Sequence, residues 1–181
     1  MEHKPPLRFD QIIANRFKSD LTGLPLTTCS VCGKEVLPAE PYIIAKAYEY
    51  GRCGLESLHC LTCQQESRWH ASEQSKENIM LYSGRRFNNF MEDPQARDIY
   101  FLQEPSCLLT GEIISPRDAF ELYSFHLPGL PIQNENYLLV GPTAMEQMAE
   151  LLSEETRKSW GRYIEGLSPA PPEIKLSPLL V

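Results

Sequence analysis

The chain has 181 residues, of which 42% are hydrophobic, and this length and composition fit one globular domain or two small ones. Its net charge of −7 comes from the second half, because residues 1–91 carry 11 basic and 10 acidic side chains whereas residues 92–181 carry 6 and 14. The acidic second half argues against a broad phosphate-binding surface. No apolar run approaches the length of a membrane span, so we expect no contact with a membrane.

The N-terminal unit, residues 1–25, is predicted to be an amphipathic helix. Apolar side chains recur at three-to-four spacing between Leu7 and Leu21. They are Phe9, Ile12, Ile13, Phe17 and Leu21. We expect this face to pack on the body of the protein, and the alternative is a helix that binds a partner. The opening MEHKPPLRFD lacks the apolar core of a secretion signal, so we expect a cytoplasmic protein.

Two Cys-x-x-Cys pairs are the strongest chemical signal in the chain. Cys29 and Cys32 lie in TTCSVCGKEV, and Cys60 and Cys63 lie in LHCLTCQQES. Four thiolates in two such pairs are a typical ligand set for one tetrahedral Zn²⁺. Gly33 tolerates the left-handed backbone that the first turn often needs. The residues after the second pair are rich in helix formers, which predicts a helix N-terminus that favours thiolate there.

The residues between the two pairs predict a β-hairpin. The strands are expected at Tyr42–Tyr50 and Leu55–His59, and the helix after Cys60 is expected to run to Lys76. A cysteine turn, a hairpin and a helix-start pair together resemble the treble-clef zinc finger over residues 27–76. The resemblance implies a small α+β unit with one structural Zn²⁺. It implies no function, because many unrelated proteins share this unit.

Other uses of the cysteines remain open at this point. Six cysteines could form disulfides, but without a secretion signal such pairs favour metal, and the pattern around Cys60 is not the βαβ unit of a thioredoxin-like motif. Cys53, His59 and His70 are further ligand types nearby. We expect each to be a packing or surface residue, because four cysteines already complete a closed structural site.

The second half contains a segment that matches the first knuckle. Fourteen residues from Cys107, CLLTGEIISPRDAF, align without a gap with CSVCGKEVLPAEPY from Cys29. The matching pairs are Cys29/Cys107, Cys32/Thr110, Gly33/Gly111, Val36/Ile114, Pro38/Pro116, Glu40/Asp118 and Tyr42/Phe120. A strand at Asn136–Val140 and a helix at Ala144–Leu152 would then place Gly141 and Ala144 where Cys60 and Cys63 stand. We therefore predict a degenerate repeat without metal. The alternative is a match that arises by chance or from generic turn chemistry, and a helix at SPRDAFELYSF would weaken the repeat.

The remaining segments complete the expected organisation. The zinc-binding lobe spans residues 26–92, and the second α+β lobe spans residues 93–167. Ile79–Tyr82 is a short apolar segment, and further helices are predicted at Pro94–Gln103 and Glu154–Glu165. The Pro-rich tail, residues 168–181, is expected to be extended.

No catalytic motif accompanies the zinc ligands, so the favoured function is non-catalytic protein binding, as an adaptor or regulator. The alternative is a nucleic-acid-binding regulator, because Arg and aromatic side chains together bind phosphates and stack on bases. The residues for that role are Arg68, Trp69, Arg85, Arg86 and Phe87. An enzyme whose site assembles only in the folded chain is the third hypothesis.

Overall fold

The fold is α+β, as the sequence predicts. The computed structural model describes residues 7–67, 71–128 and 136–167, without the side chains of residues 67 and 163–167. The helices in these ranges are α1 (Phe9–Ala14), α2 (Leu61–Ser67), α3 (Glu73–Glu92), α4 (Pro94–Leu102), α5 (Pro142–Leu151) and α6 (Glu154–Leu167). The strands are β1 (Tyr42–Glu49), β2 (Arg52–Cys60), β3 (Phe120–His126) and β4 (Tyr137–Val140). The predicted tail, residues 168–181, lies outside the described residues.

One antiparallel sheet of order β2-β1-β3-β4 extends through both proposed lobes. β1 and β2 form the predicted hairpin, and β3 and β4 form a second one. The two hairpins are joined by the pairing of β1 with β3, which runs from Tyr42 opposite His126 to Tyr48 opposite Phe120. The helix considered as an alternative for SPRDAFELYSF is wrong, because β3 occupies most of that segment.

Each hairpin is preceded by a loop closed by a hydrogen bond between its ends. We call residues 27–36 the first knuckle and residues 105–114 the second knuckle. The Val36 N–H donates to the Thr27 carbonyl at 2.7 Å, and the Ile114 N–H donates to the Pro105 carbonyl at 2.8 Å. The turns inside the knuckles contain Gly33 and Gly111, which have φ angles of 70° and 75°. Both turns therefore use the left-handed backbone that glycine adopts without a steric penalty.

The two knuckles share further backbone hydrogen bonds. In each knuckle, the residue after Cys29 or Cys107 donates its N–H to the outer strand of the hairpin. The Ser30 N–H donates to the Leu58 carbonyl at 2.8 Å, and the Leu108 N–H donates to the Leu139 carbonyl at 2.9 Å. Each acceptor lies three residues before the helix that follows, which is α2 in the first case and α5 in the second. The two halves of the sheet thus hold their knuckles in the same way.

The N-terminal helix is shorter than predicted. It ends at Ala14 rather than Leu21, and the Leu21 side chain is 84% exposed instead of lying on the packed face. The prediction was wrong beyond Ala14 because the carbonyl oxygens of Asn15 and Lys18 bind the Lys46 ammonium group, at 3.3 and 2.5 Å. A continuing helix would use these carbonyls for its own hydrogen bonds.

The helix after Cys60 also ends earlier than the predicted Lys76. α2 ends at Ser67, and a separate helix, α3, begins at Glu73 with Ser72 as its N-cap. The segment Ile79–Tyr82 lies inside α3. The periodicity missed this break because a serine N-cap starts a new helix without any glycine or proline.

The N-termini of α3 and α6 meet and satisfy each other's amides. The Ser72 N–H donates to Thr156 Oγ1 at 2.9 Å, and the Ser153 N–H donates to Ser75 Oγ at 2.8 Å. In an ordinary capping box the third helical residue accepts from the N-cap of its own helix. Here the hydroxyl groups of Ser75 and Thr156 each accept from the N-cap N–H of the other helix. These oxygens allow two positively polarised helix ends to lie side by side.

Two hydrophobic clusters of different size fill the interior. The larger one combines α1, parts of β1, and most of the second lobe, including Cys107, Leu109 and Ile114 of the second knuckle. The smaller one joins the first knuckle to the sheet. Its buried members are Cys29, Val36, Ile44, Leu58 and Cys63. The first knuckle therefore rests on a small apolar core in which two of the five members are candidate ligands.

Lys46 is fully buried in β1 and binds the N-terminal segment. Its Nζ lies 2.5 Å from the Asp20 carboxylate and 3.8 Å from that of Glu56, its cross-strand partner on β2. The Asp20 N–H also donates to the Glu56 carboxylate at 2.8 Å. A buried ammonium needs this dense set of oxygen partners to offset its loss of water.

Replacing Lys46 with methionine is expected to lower the free energy of unfolding by about 3–5 kcal/mol, because two largely buried carboxylates lose their cation. The measurement is urea unfolding followed by circular dichroism. Lys158→Met is the matched control, since Lys158 pairs with Glu154 on the surface and should cost well under about 1 kcal/mol. Equal losses in the two variants would contradict the role assigned to Lys46.

Candidate metal centre

The four cysteines predicted as ligands lie together. Cys29 and Cys32 belong to the first knuckle, Cys60 ends β2, and Cys63 lies in the first turn of α2. Their sulfur atoms all lie within 4.8 Å of one another. Sulfurs of a tetrahedral zinc site with bonds of 2.3 Å stand about 3.8 Å apart. The four thiols therefore fit the ligand shell of a single metal ion after small adjustments.

Hydrogen bonds and turn geometry direct the sulfurs to one point. Ser30 attaches the first knuckle to β2 through two hydrogen bonds. Its N–H donates to the Leu58 carbonyl, and its Oγ accepts from the Leu58 N–H at 3.1 Å. The Cys60 N–H donates to Cys29 Sγ at 3.5 Å. Cys29 and Cys63 are buried, Cys60 is half-buried and Cys32 is exposed. The site thus lies at the surface with one ligand open to solvent.

The thiols differ in how readily they ionise without a metal. Burial by itself raises the pKa of Cys29, but N–H groups of Cys32, Cys60 and Val31 donate to its sulfur and bring the pKa down to about 7. Burial, followed by the three neighbouring thiols, raises the pKa of Cys63. Four adjacent thiolates repel one another, so full ionisation of the cluster requires a cation among them.

A second group of ligand atoms is already neutralised by a lysine. The side-chain ligand atoms of Asp20, Cys53 and Glu56 also lie within 4.8 Å of one another. The ammonium group of Lys46 contacts both carboxylates, and burial raises the pKa of Cys53, which keeps it a thiol. We therefore assign this group to the Lys46 network and not to a metal. The sequence signal for it is a lone lysine within the strand YIIAKAYEY.

Among the described residues, the cluster of candidate metal ligands contains the four cysteines and no histidine. His59 is buried on β2, and its Nε2 lies 3.1 Å from Ser57 Oγ. Burial lowers the pKa of His59 to about 4, so its ring is neutral at pH 7. Adjacent residues of a strand point to opposite faces, which separates His59 from Cys60. His70 lies outside the described residues.

The residues of the nucleic-acid hypothesis are only partly brought together. Arg68 and Trp69 lie outside the described residues. Arg85, Arg86 and Phe87 lie on α3, where the Arg86 guanidinium donates to the carbonyl of Leu109 and Phe87 packs partly buried against the larger core. Arg86 and Phe87 therefore make contacts within the protein, and Arg85 and Arg86 are both exposed.

Comparisons with protein-family models, with curated proteins and with solved structures found no match to this chain. Among the described residues, every helix is too short or too polar to cross a membrane. The functional argument therefore rests on the geometry of the site and its surroundings.

Removing one ligand is expected to abolish metal binding. The native chain should carry one metal ion, and Cys29→Ser or Cys63→Ser should lose it, because three thiolates and a hydroxyl form a much weaker shell. Elemental analysis of the purified proteins measures this. Cys53→Ser and Cys107→Ser are the matched controls and should keep the metal. A loss in Cys53→Ser equal to that in Cys29→Ser would overturn the ligand set.

Proposed function

We propose that the chain binds one structural Zn²⁺ through Cys29, Cys32, Cys60 and Cys63 and acts as a non-catalytic protein-binding module. The observation that carries the zinc proposal is the group of four sulfurs within 4.8 Å. Thiolate ligands in tetrahedral arrangement suit Zn²⁺ among the common divalent ions. Four protein ligands leave no open position for a substrate, which favours a structural metal.

The order of elements supports a treble-clef-like unit. The first knuckle supplies two ligands, the β1–β2 hairpin follows, and the end of β2 with the start of α2 supplies the other two. The small core under the first knuckle makes metal binding the main source of its stability. Such a unit is a frame for surface contacts and needs no large interior of its own.

We further propose that residues 107–152 are a metal-free repeat of this unit. The matching hydrogen bonds of the two knuckles and their hairpins support this proposal. In the second copy the Glu112 carboxylate accepts from the Thr143 N–H at 3.3 Å, at the start of α5. A Cβ atom on Gly141 would collide with that carboxylate. A negatively charged side chain thus lies beside the start of α5. At the corresponding place in the first copy, the start of α2, the proposed site has a metal-bound thiolate.

Restoring the missing ligands tests the repeat. The variant Thr110→Cys/Glu112→Lys/Gly141→Cys/Ala144→Cys is expected to bind two zinc ions per chain, because Cys107 already supplies the fourth sulfur. Glu112→Lys reproduces Lys34 and clears space for a side chain at position 141. Elemental analysis gives the stoichiometry. The same variant with Cys107→Ser should return to one ion, and one ion in both variants would contradict the repeat.

Exposed apolar side chains around the zinc unit support a protein partner. Leu21, Leu24, Val31 and Leu61 are 84%, 66%, 44% and 44% exposed. Two of the segments that carry them are both attached to β2, since the Asp20 N–H bonds to the Glu56 side chain and the Ser30 N–H to the Leu58 backbone. We call these four residues the β2-edge patch. Apolar groups gathered beside a rigid unit are typical of protein-binding surfaces.

Nucleic-acid binding remains the alternative, and an enzyme with an unrecognised site is the third hypothesis. The nucleic-acid alternative is less well supported because the net charge is −7 and Arg86 already binds the second knuckle. It would give retention on a nucleic-acid column that falls steeply with salt.

The β2-edge patch gives a direct test of protein binding. Zinc-loaded native protein, immobilised, should retain a partner from extract of the source cells, and Leu21→Ser/Leu24→Ser should reduce retention by about tenfold or more. Ile99→Ser/Leu102→Ser removes two other exposed apolar groups, 51% and 86% exposed, from α4 and should have no effect. Equal loss in both variants, or full retention in both, would contradict a partner at this patch.

A further inference from the structure

The two knuckles close differently although their backbones match. Val31, in the first knuckle, is 44% exposed, whereas Leu109, its counterpart in the second knuckle, is 5% exposed and belongs to the larger core. The second knuckle is thus held by its own side chains. The first has no buried side chain at this position and packs only through the small core that contains Cys29 and Val36, so it depends more on whatever joins its four sulfurs.

The four sulfurs of the first knuckle are unequally protected. Cys29 and Cys63 are buried, Cys60 is half-buried and Cys32 is exposed. Cys32 lies between the exposed Val31 and Gly33, a residue without a side chain, so we expect a small reagent to reach its sulfur from solvent. Thiolates are the reactive form of cysteine, and a zinc site holds them in that form at neutral pH.

We propose that a hydroperoxide oxidises the zinc centre first at Cys32, and that the product is a Cys29–Cys32 disulfide with release of Zn²⁺. This inference rests on the zinc site proposed above. The oxidant is hydrogen peroxide or another small hydroperoxide, because a molecule of this size can react with an exposed sulfur without a binding pocket. The first knuckle would then be a redox-sensitive element, while the metal-free second knuckle stays closed.

The reaction balances in two steps. The Cys32 thiolate attacks one oxygen of hydrogen peroxide, the O–O bond breaks, and the hydroxide that leaves takes up a proton to become water. The Cys29 thiolate then attacks the sulfenic sulfur of Cys32, forms the S–S bond and displaces a second hydroxide, which is also protonated. Two thiolates are oxidised by two electrons, and one peroxide is reduced to two waters. The metal keeps only two ligands and is released.

Cys29 is the resolving thiol because it shares the knuckle with Cys32. The Gly33 N–H already donates to the Cys29 carbonyl at 2.9 Å, so the turn that brings the two cysteines together is formed before oxidation. Pairing Cys32 with Cys60 or Cys63 would instead join the first knuckle to β2 or α2. A short loop closes with less loss of chain entropy than a long one.

The test treats the zinc-loaded native chain with hydrogen peroxide and follows zinc with a chromogenic indicator. One zinc per chain should be released as the titratable thiols fall from six to four. Trypsin then separates peptide 19–34, with Cys29 and Cys32, from peptide 53–68, with the other two ligands. Peptide 19–34 should lose two hydrogens. Before oxidation, limiting N-ethylmaleimide should label Cys32 at least about tenfold faster than Cys29.

The control is Cys53→Ser/Cys107→Ser, which removes the two cysteines outside the cluster and should release zinc at an unchanged rate. Added dithiothreitol and Zn²⁺ should restore the original zinc content. A disulfide in peptide 53–68, or zinc that stays bound while thiols are oxidised, would overturn the inference. A zinc-loaded chain that resists peroxide removes this inference alone, whereas a purified chain without zinc removes the proposed zinc site as well.

Discussion

The pairing of β1 with β3 is the constraint on which the rest of the structure depends. Ala45 lies opposite Tyr123 at its centre, and the register extends equally in both directions to the two strand ends. Because side chains alternate along a strand, this register places Ile44 and Leu122 on the same face, each opposite a leucine of its own hairpin. A slip of one residue would turn one hairpin over relative to the other and move its buried side chains to the opposite face of the sheet. The sheet therefore fixes where both knuckles and the N-terminal segment are attached.

The same knuckle backbone is closed in two physically different ways. The first brings four sulfurs together over a small core, so a metal ion bound there, as proposed above, would supply much of its stability. The second buries Leu109, Ile114 and Ala144 in the larger core and uses the Glu112 carboxylate at the start of α5. The second closure is formed by protein side chains alone, whereas a thiolate metal site of the kind proposed for the first responds to metal supply, pH and oxidants. One sheet thus supports two knuckles that would respond differently to these conditions.

The sequence predicted the features that depend on short spacing. The Cys-x-x-Cys pairs, Gly33 and the alternating residues of β1 and β2 identified the cysteine cluster and the hairpin before any coordinates. It missed features formed between distant residues, because local periodicity carries no information about them. Lys46 reaches a carboxylate and carbonyls in the N-terminal segment and ends α1 early. Ser72 and Thr156 come from helices far apart in the chain, so neither sequence window shows their shared cap.

β2 is the strand that connects these observations. Three alternate residues of this strand hold the attached segments in turn: the Glu56 side chain accepts from the Asp20 N–H, the Leu58 backbone binds Ser30, and the Cys60 N–H donates to Cys29 Sγ. An uncovered edge strand invites pairing with another chain. The first knuckle covers the edge of β2 at Leu58, next to the four sulfurs. A metal ion bound by the four sulfurs, as proposed above, would hold this cover in place as well as close the loop, so its loss would alter the surface of the protein while the second lobe keeps its own core.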